Sequence, residues 1–281
     1  MAEPLRDISW SGSQADSGNF DHRLVPGTSR APLVDLSEVE FVTAYGLVAL
    51  ACVVATNQQV GAVTRFRRPE SIEVSRYLSR MGFGDVLDTH DCHLESDLPF
   101  VQRHDQTGRL LELQKFHSEA EVMTLSNLVR SRLEGRVSPQ SVTAIDIGLG
   151  EIADNVRYHS EAGCGFIAAQ TYNAGGSGEV IDVAIGDIGI GIRGGLARHR
   201  PDGDAEAVHM ALSYEYSGVD DPGRGQGLPT TAEAVTGLRG TLHFKTGGAS
   251  VVAHKAGTRE RRTPRLNGTI IGLRVPCRPG A

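Results

Sequence analysis

In "EVIDVAIGDIGIGI" (residues 179–192), Ile181, Val183 and Ile185 share one face of a strand with a two-residue side-chain period, and the next residue in that odd-numbered row is Asp187. An ionised carboxylate sealed in an apolar layer without a partner costs on the order of several kcal/mol. The pattern therefore predicts a donor at the end of this row, supplied by the chain or by a ligand. Gly189 and Gly191 follow at once and clear side chains from a place where something must approach the backbone.

Upstream, "GLGEIADNVRYHS" (residues 148–160) belongs to a helix that opens with Ser138 as N-cap and Pro139 in the first helical position. Its apolar stripe is Val142, Ile145, Leu149, Ile152 and Val156. Glu151, Asn155 and His159 advance about 40° per step and form one polar column. Glu151 and Asn155 lie at the edge of the stripe, where a polar group meets a ligand without being sealed in oil. His159 is read as a helix residue that bonds locally. Downstream, "GRGQGL" places Gly223, Gly225 and Gly227 just before the helical stretch "LPTTAEAV". Backbone N–H groups at a helix start attract phosphate.

The rest of the chain frames these stretches. At 281 residues it has the length of two domains, each able to bury a core. A hydrophobic content of 40%, a charged content of 22% and a formal net charge of −6 describe an ordinary globular protein. That balance makes nucleic acid an unlikely main partner, because phosphate binding needs a concentrated positive field. The N-terminus carries no targeting pattern and no stretch approaches a membrane span, so no membrane partner and a cytoplasmic location are expected. The cysteines Cys52, Cys92, Cys164 and Cys277 are scattered without CxxC spacing and are read as reduced.

Residues 1–30 are rich in Ser, Gly, Asp and Pro and read as a flexible leader. Residues 31–90 read as β-α-β-α: a strand in "APLVDLSEVEFV", the apolar helix "AYGLVALACVVAT", a strand "GAVTRF", and a helix with Val74, Tyr77, Leu78 and Met81 on one face. Residues 91–107 form a polar linker. His90, Asp91, Cys92 and His93 offer metal-ligand types there, but no second ligand pair follows at finger spacing. Residues 108–278 begin with a strand "RLLELQKF" and a helix opened by a Ser118/Glu121 capping box, with Val122, Leu125, Leu128, Val129 and Leu133 as its stripe and Gly135 as its stop. Strands "GFIAAQTY", "EVIDVAIGD", "GTLHFKT", "ASVVAH" and "GTIIGLRVP" follow, residues 192–222 read as a mobile loop, and the basic run from His254 to Arg265 reads as a solvated hairpin loop. The predicted class is α+β: a mostly antiparallel sheet with helices on one face.

Three ordered motifs, Glu151-x-x-x-Asn155, Asp187-x-Gly189-x-Gly191 and Gly223-x-Gly225-x-Gly227-Leu228, resemble the N, G1 and G2 boxes of the GHKL, or Bergerat-fold, ATP-binding domain. That superfamily includes histidine kinases, anti-sigma-factor serine kinases and gyrase. The resemblance covers residues 108–278. It implies ATP and Mg²⁺ as cofactors, with Asn155 on the metal and Asp187 accepting from the adenine amino group. It further implies Gly189 and Gly191 beside the base, Gly223, Arg224, Gly225, Gln226, Gly227 and Leu228 around the phosphates, and Glu151 as general base. Tyr158 and Gln226 depart from the family pattern, and no phosphoacceptor-His helix precedes the domain, which disfavours an autophosphorylating histidine kinase. Residues 31–90 resemble the STAS fold, with Ala44 in the turn position where that family carries its phosphoacceptor serine.

The combined expectation is a regulator that binds ATP and Mg²⁺, resembles anti-sigma serine kinases, and hydrolyses ATP or phosphorylates a protein hydroxyl on a protein partner. A non-catalytic nucleotide-gated interaction switch is the alternative, and a DNA-associated ATPase a weaker one. A homodimer is left open.

Overall fold

The computed structural model describes residues 5–6, 8–9, 14–16, 25–26, 31–90, 92–101, 110–117, 119–139, 142–143, 145–147, 149–150, 165–175, 178–216 and 227–277. The short strands β1 (Leu5–Arg6), β2 (Ile8–Ser9), β3 (Gln14–Ala15) and β4 (Val25–Pro26) come first, followed by β5 (Leu33–Asp35), β6 (Phe41–Val42), helix α1 (Ala44–Gln59) and β7 (Arg65–Arg67). Helices α2 (Ile72–Arg80) and α3 (Phe83–Thr89) and strand β8 (His93–Leu94) complete this region. Then come β9 (Leu110–Phe116), α4 (Glu119–Leu133), β10 (Gly165–Asn173), β11 (Glu179–Asp187), α5 (Gly191–Gly195), α6 (Asp204–Ala211), α7 (Gly227–Gly237), β12 (Thr241–His254) and β13 (Gly257–Pro276). The class is α+β, as the patterning predicts. Among the described residues no helix is long and apolar enough to cross a membrane.

The main sheet has the order β12-β13-β11-β10-β9 and is antiparallel throughout. A smaller parallel sheet has the order β2-β5-β7-β8. Part of the leader is thus paired: β2 lies beside β5, and β3 runs parallel to β6. The expected strand in "APLVDLSEVEFV" is split in two by a turn in which Val39 N–H donates to Leu36 O at 2.9 Å.

α1 contains long apolar runs with no polar face, and 14 of its residues are buried. A helix apolar all round needs cover on every side. α2 and α3 supply some of it, and the remainder comes from one face of the main sheet through Leu113, Phe166, Ala168, Ala184 and Ile270. The helices after β9 pack on the opposite face, where Leu125, Val129, Leu133, Val142, Ile145, Leu149, Val208, Leu228 and Val235 meet Ile181, Val183, Ile185, Phe244 and Leu273. So the C-terminal helices occupy one face, as expected, and the N-terminal α1 fills the other. Leu128, assigned to the α4 stripe by spacing, is 40% exposed. A bulge in β9 between Leu111 and Gln114 lets Leu111 face the second core and Leu113 the first.

The α1 N-terminus is closed from both sides. Thr43 is the N-cap, its Oγ1 accepting from Gly46 N–H at 3.1 Å and donating to Ala15 O at 3.3 Å. The N–H groups of Ala44 and Tyr45 donate to the carboxylate of Asp182, on the α1 face of β11. Asp182 is 3% exposed. Burial pushes its carboxyl up to about 6, against the lowering effect of Arg274 and the two helix amides. Tyr45 stacks on His243 with ring centroids 4.7 Å apart. Arg80 pairs with Glu112, and Leu113 N–H donates to Met81 O at 2.9 Å, further joining the two regions.

Two stretches expected to be loops form regular structure where they are described, the second as far as residue 216. The basic run from His254 to Arg265 continues β12 and β13 as a two-stranded ribbon, paired from Ala249↔Arg262 to His254↔Gly257. In place of a loop, residues after 190 form α5, a 3₁₀ turn (Ala197–His199) and α6. Asp204 holds α6 to the ribbon by accepting from Gly248 N–H at 2.8 Å and Arg265 at 3.2 Å. The weak strand signal there reflected short helices made of small residues.

Phe166 is fully buried in the shared first core. Phe166→Ala is expected to cost about 3–5 kcal/mol. In hydrogen-exchange mass spectrometry α1 and β10 should lose protection together; loss confined to one of them would contradict a common core.

Candidate functional site

β11 delivers Asp187 to the end of the row predicted for it. Ile181, Val183 and Ile185 lie in the second core, and Asp187, next in parity, is 7% exposed. Its Oδ1 accepts from Gly189 N–H at 2.7 Å, closing a turn onto the strand end. The backbone N–H of Thr269 also donates to this carboxylate. The ladder explains why: Gly186 pairs with Ile270, so one step further places Thr269 opposite Asp187. Burial is the dominant influence and pushes the carboxyl up to about 6; the two amides pull it back.

The glycines around this acid mark close backbone approach. Gly191 has φ +72°, and a Cβ there would stand 2.7 Å from Thr246 Oγ1 and 3.1 Å from Gly268 O. Gly268, at φ +79°, lies so close to the strand end that a Cβ would come within 2.1 Å of Asp187 O. Thr246 Oγ1 accepts from Ile192 N–H at 3.1 Å and donates to Gly268 O at 3.1 Å, and Thr269 Oγ1 lies 3.3 Å from it. The turn after Asp187 is thereby bolted to β12 and β13. Gly191 is therefore required by the close approach of Thr246 and Gly268 to the turn that follows Asp187.

Thr246, Gly268 and Thr269 were not singled out from the sequence. Their signal lies in pairing: "NGTIIGLRVP" reads as a strand, but only the register with β11 shows that its Gly-Thr start faces Asp187. The structure brings together Asp187, Gly189 and Gly191. Gly227 and Leu228 open α7, with Leu228 buried in the same core as Ile185. Glu151, Asn155, His159, Gly223, Arg224, Gly225 and Gln226 lie outside the described residues. Among those described, no group of three or more His, Cys, Asp or Glu is placed to hold a metal ion. His90, one of the imagined linker ligands, is buried with Nδ1 2.8 Å from Val86 O at the end of α3.

Chemically, the described part is a buried carboxylate acceptor held by two backbone amides, and a ligand N–H is the complementary group. No protein-family profile matches the chain, and no curated protein sequence matches it. Among solved structures, the histidine kinase domain of a blue-light activated histidine kinase from Erythrobacter litoralis is similar to it over 83% of this chain and 85% of that one, with 14% identity and a TM-score of 0.30.

The folded chain holds the Asp187 proton more tightly than the unfolded chain, since the ordinary value of 3.8 rises to about 6. Stability from the protonated form is therefore present below about pH 4 and is lost as pH rises through about 6. Asp182 acts in the same direction. Asp187→Asn cannot ionise and is expected to exceed wild type at pH 7.5 by on the order of 1–3 kcal/mol in urea unfolding, the gap closing toward pH 4.5. An equal gap at both pH values would contradict the burial account.

Proposed function

We propose that this chain binds an adenine nucleotide with Mg²⁺ and acts as a kinase-like regulator of a protein partner. The observation that carries this reading is the buried Asp187 carboxylate at the end of β11, held by the amides of Gly189 and Thr269 in a turn built on glycine. A purine amino group would add a further N–H donor to this acceptor. In this reading Gly189 and Gly191 let the base lie against the backbone, and Gly227 with Leu228 opens the helix whose N-terminus faces the phosphates. Gly223, Arg224, Gly225 and Gln226 complete that phosphate loop.

Asn155 is proposed to hold the metal, whose chemistry is to neutralise phosphate charge; carboxamide and carboxylate oxygens suit so hard an ion. Glu151, one turn earlier, would take a proton from water or from a protein hydroxyl, a role worth about 10² to 10⁴ in rate. The outcome is slow ATP hydrolysis or transfer to serine or threonine, in the cytoplasm.

A second reading, a nucleotide-gated interaction switch, is favoured by one observation. α1 is buried on the main sheet with its first amides taken by Asp182, an arrangement that joins the N-terminal region to the strand carrying Asp187.

Isothermal titration calorimetry with a non-hydrolysable ATP analogue and Mg²⁺ tests the first step. Asp187→Asn should weaken binding by tenfold or more, as removal of a buried charged hydrogen bond does. Equal titration of wild type and variant would remove the adenine assignment. Glu151→Ala should bind the analogue within about threefold of wild type while losing at least 100-fold in turnover of labelled ATP. Retained turnover would leave the switch as the better account.

A further inference from the structure

α1 packs on the face of the main sheet that carries Asp182, Ala184 and Gly186 of β11. Asp182, Ala184 and Gly186 succeed one another on the face that α1 covers; Ala44 and Tyr45 meet the first, while Val48 and Cys52 meet the last. From Ala44 to Cys52 a helix rises about 12 Å, and from Asp182 to Gly186 a strand extends about 13 Å. Val48 and Cys52, one turn apart, both close on Gly186, so the contact is tightest at that end.

Both ends of this contact are fixed. At one end Asp182 accepts from the first two amides of α1. At the other there is no slack, since a Cβ on Gly186 would stand 2.8 Å from Val48 Cγ1 and 3.0 Å from Cys52 Sγ. Gly272, on the neighbouring strand, gives the Tyr45 ring the same close floor, 2.7 Å from a hypothetical Cβ to Cδ2. Asp187 is the next residue after Gly186. Close-packed interiors transmit small displacements, so the seat of α1 sets where the Asp187 carboxylate stands relative to Gly189 and Thr269.

We infer that α1 is the positioning element of the nucleotide site, with Gly186 and Asp182 as the positioning residues that register it on β11. This rests on the nucleotide reading above. The N-terminal region then acts as part of the binding site's framework, and nucleotide occupancy and the seating of α1 are thermodynamically linked.

The full chain is titrated with the ATP analogue and Mg²⁺ at low temperature, and amide exchange of the wild type is followed with and without it. Gly186→Ala should weaken binding at least tenfold. Val48→Ala combined with Gly186→Ala vacates the nearest atom that the new methyl meets, gives α1 room to draw Cys52 back, and should recover most of the affinity. Leu133→Ala, buried on the other face near the Glu179 end of β11, should lower Tm yet bind within about twofold of wild type. Nucleotide should slow exchange at the amides of Val48 and Cys52. Wild type that binds while Gly186→Ala binds equally well, or a double variant as weak as the single one, overturns the inference alone. Should Gly186→Ala fail to fold, unchanged α1 exchange in nucleotide-bound wild type overturns it. A wild type that binds no adenine nucleotide overturns the nucleotide reading and this inference with it.

Discussion

β11 has neighbours on both edges and a packed core on each face, and from Val180 to Asp187 every residue is buried. Burial strips most solvation from a charge there, yet the strand carries Asp182 and Asp187. Each acid must be met by donors from whatever covers its face. For Asp182 these are the opening amides of α1, with Arg274 in electrostatic range. For Asp187 they are the amides of Gly189 and Thr269. The seat of α1, the bare glycine floors and the joining of β12 and β13 to the turn after Asp187 all follow from satisfying a strand that cannot reach solvent.

The two acids differ in what they leave over. Asp182 faces a helix end and a guanidinium, both permanent parts of the fold. Asp187 has only backbone amides; burial raises both carboxyls to about 6, and of the two acids it is Asp182 that keeps a buried oxygen, Oδ2, without a hydrogen bond. Gly191 and Gly268 let the backbone close up on Thr246 and on Asp187 O, and that close fit gives the turn its rigidity. Thr246 supplies much of it by bonding to both Ile192 N–H and Gly268 O.

Local sequence signals made much of this legible. The two-residue period of β11 placed Ile181, Val183, Ile185 and Asp187 in one row, and the α1 stretch was apolar enough to be read as a buried helix. What it buries against was not legible. Val48 and Cys52 meet Gly186, more than 130 positions away, and no local pattern encodes that contact. The Gly268-Thr269 cradle was hidden for the same reason: it exists only through the β11–β13 register. The strand "ASVVAH" was legible through the period of Val251 and Ala253, whereas its partner was not, because the run from His254 to Arg265 is charged and exposed and resembles a loop. Leu128 satisfied helical spacing but lies beyond the arc that the sheet covers.

Asp182 and Asp187 sit at an odd separation on a strand whose side chains alternate, which is why one looks toward the N-terminal helix and the other toward the opposite layer. Gaining or losing a single residue between them would turn one acid into the wrong compartment. It would face apolar neighbours, and its former donors would be stranded. Evolution can therefore vary this stretch by exchange of residues but hardly by change of length, whereas the exposed tip of the β12–β13 ribbon at Lys255 and Ala256 is free to grow or shrink. Among distant relatives, a fixed count of residues here would be a more durable mark of descent than the identity of any one of them.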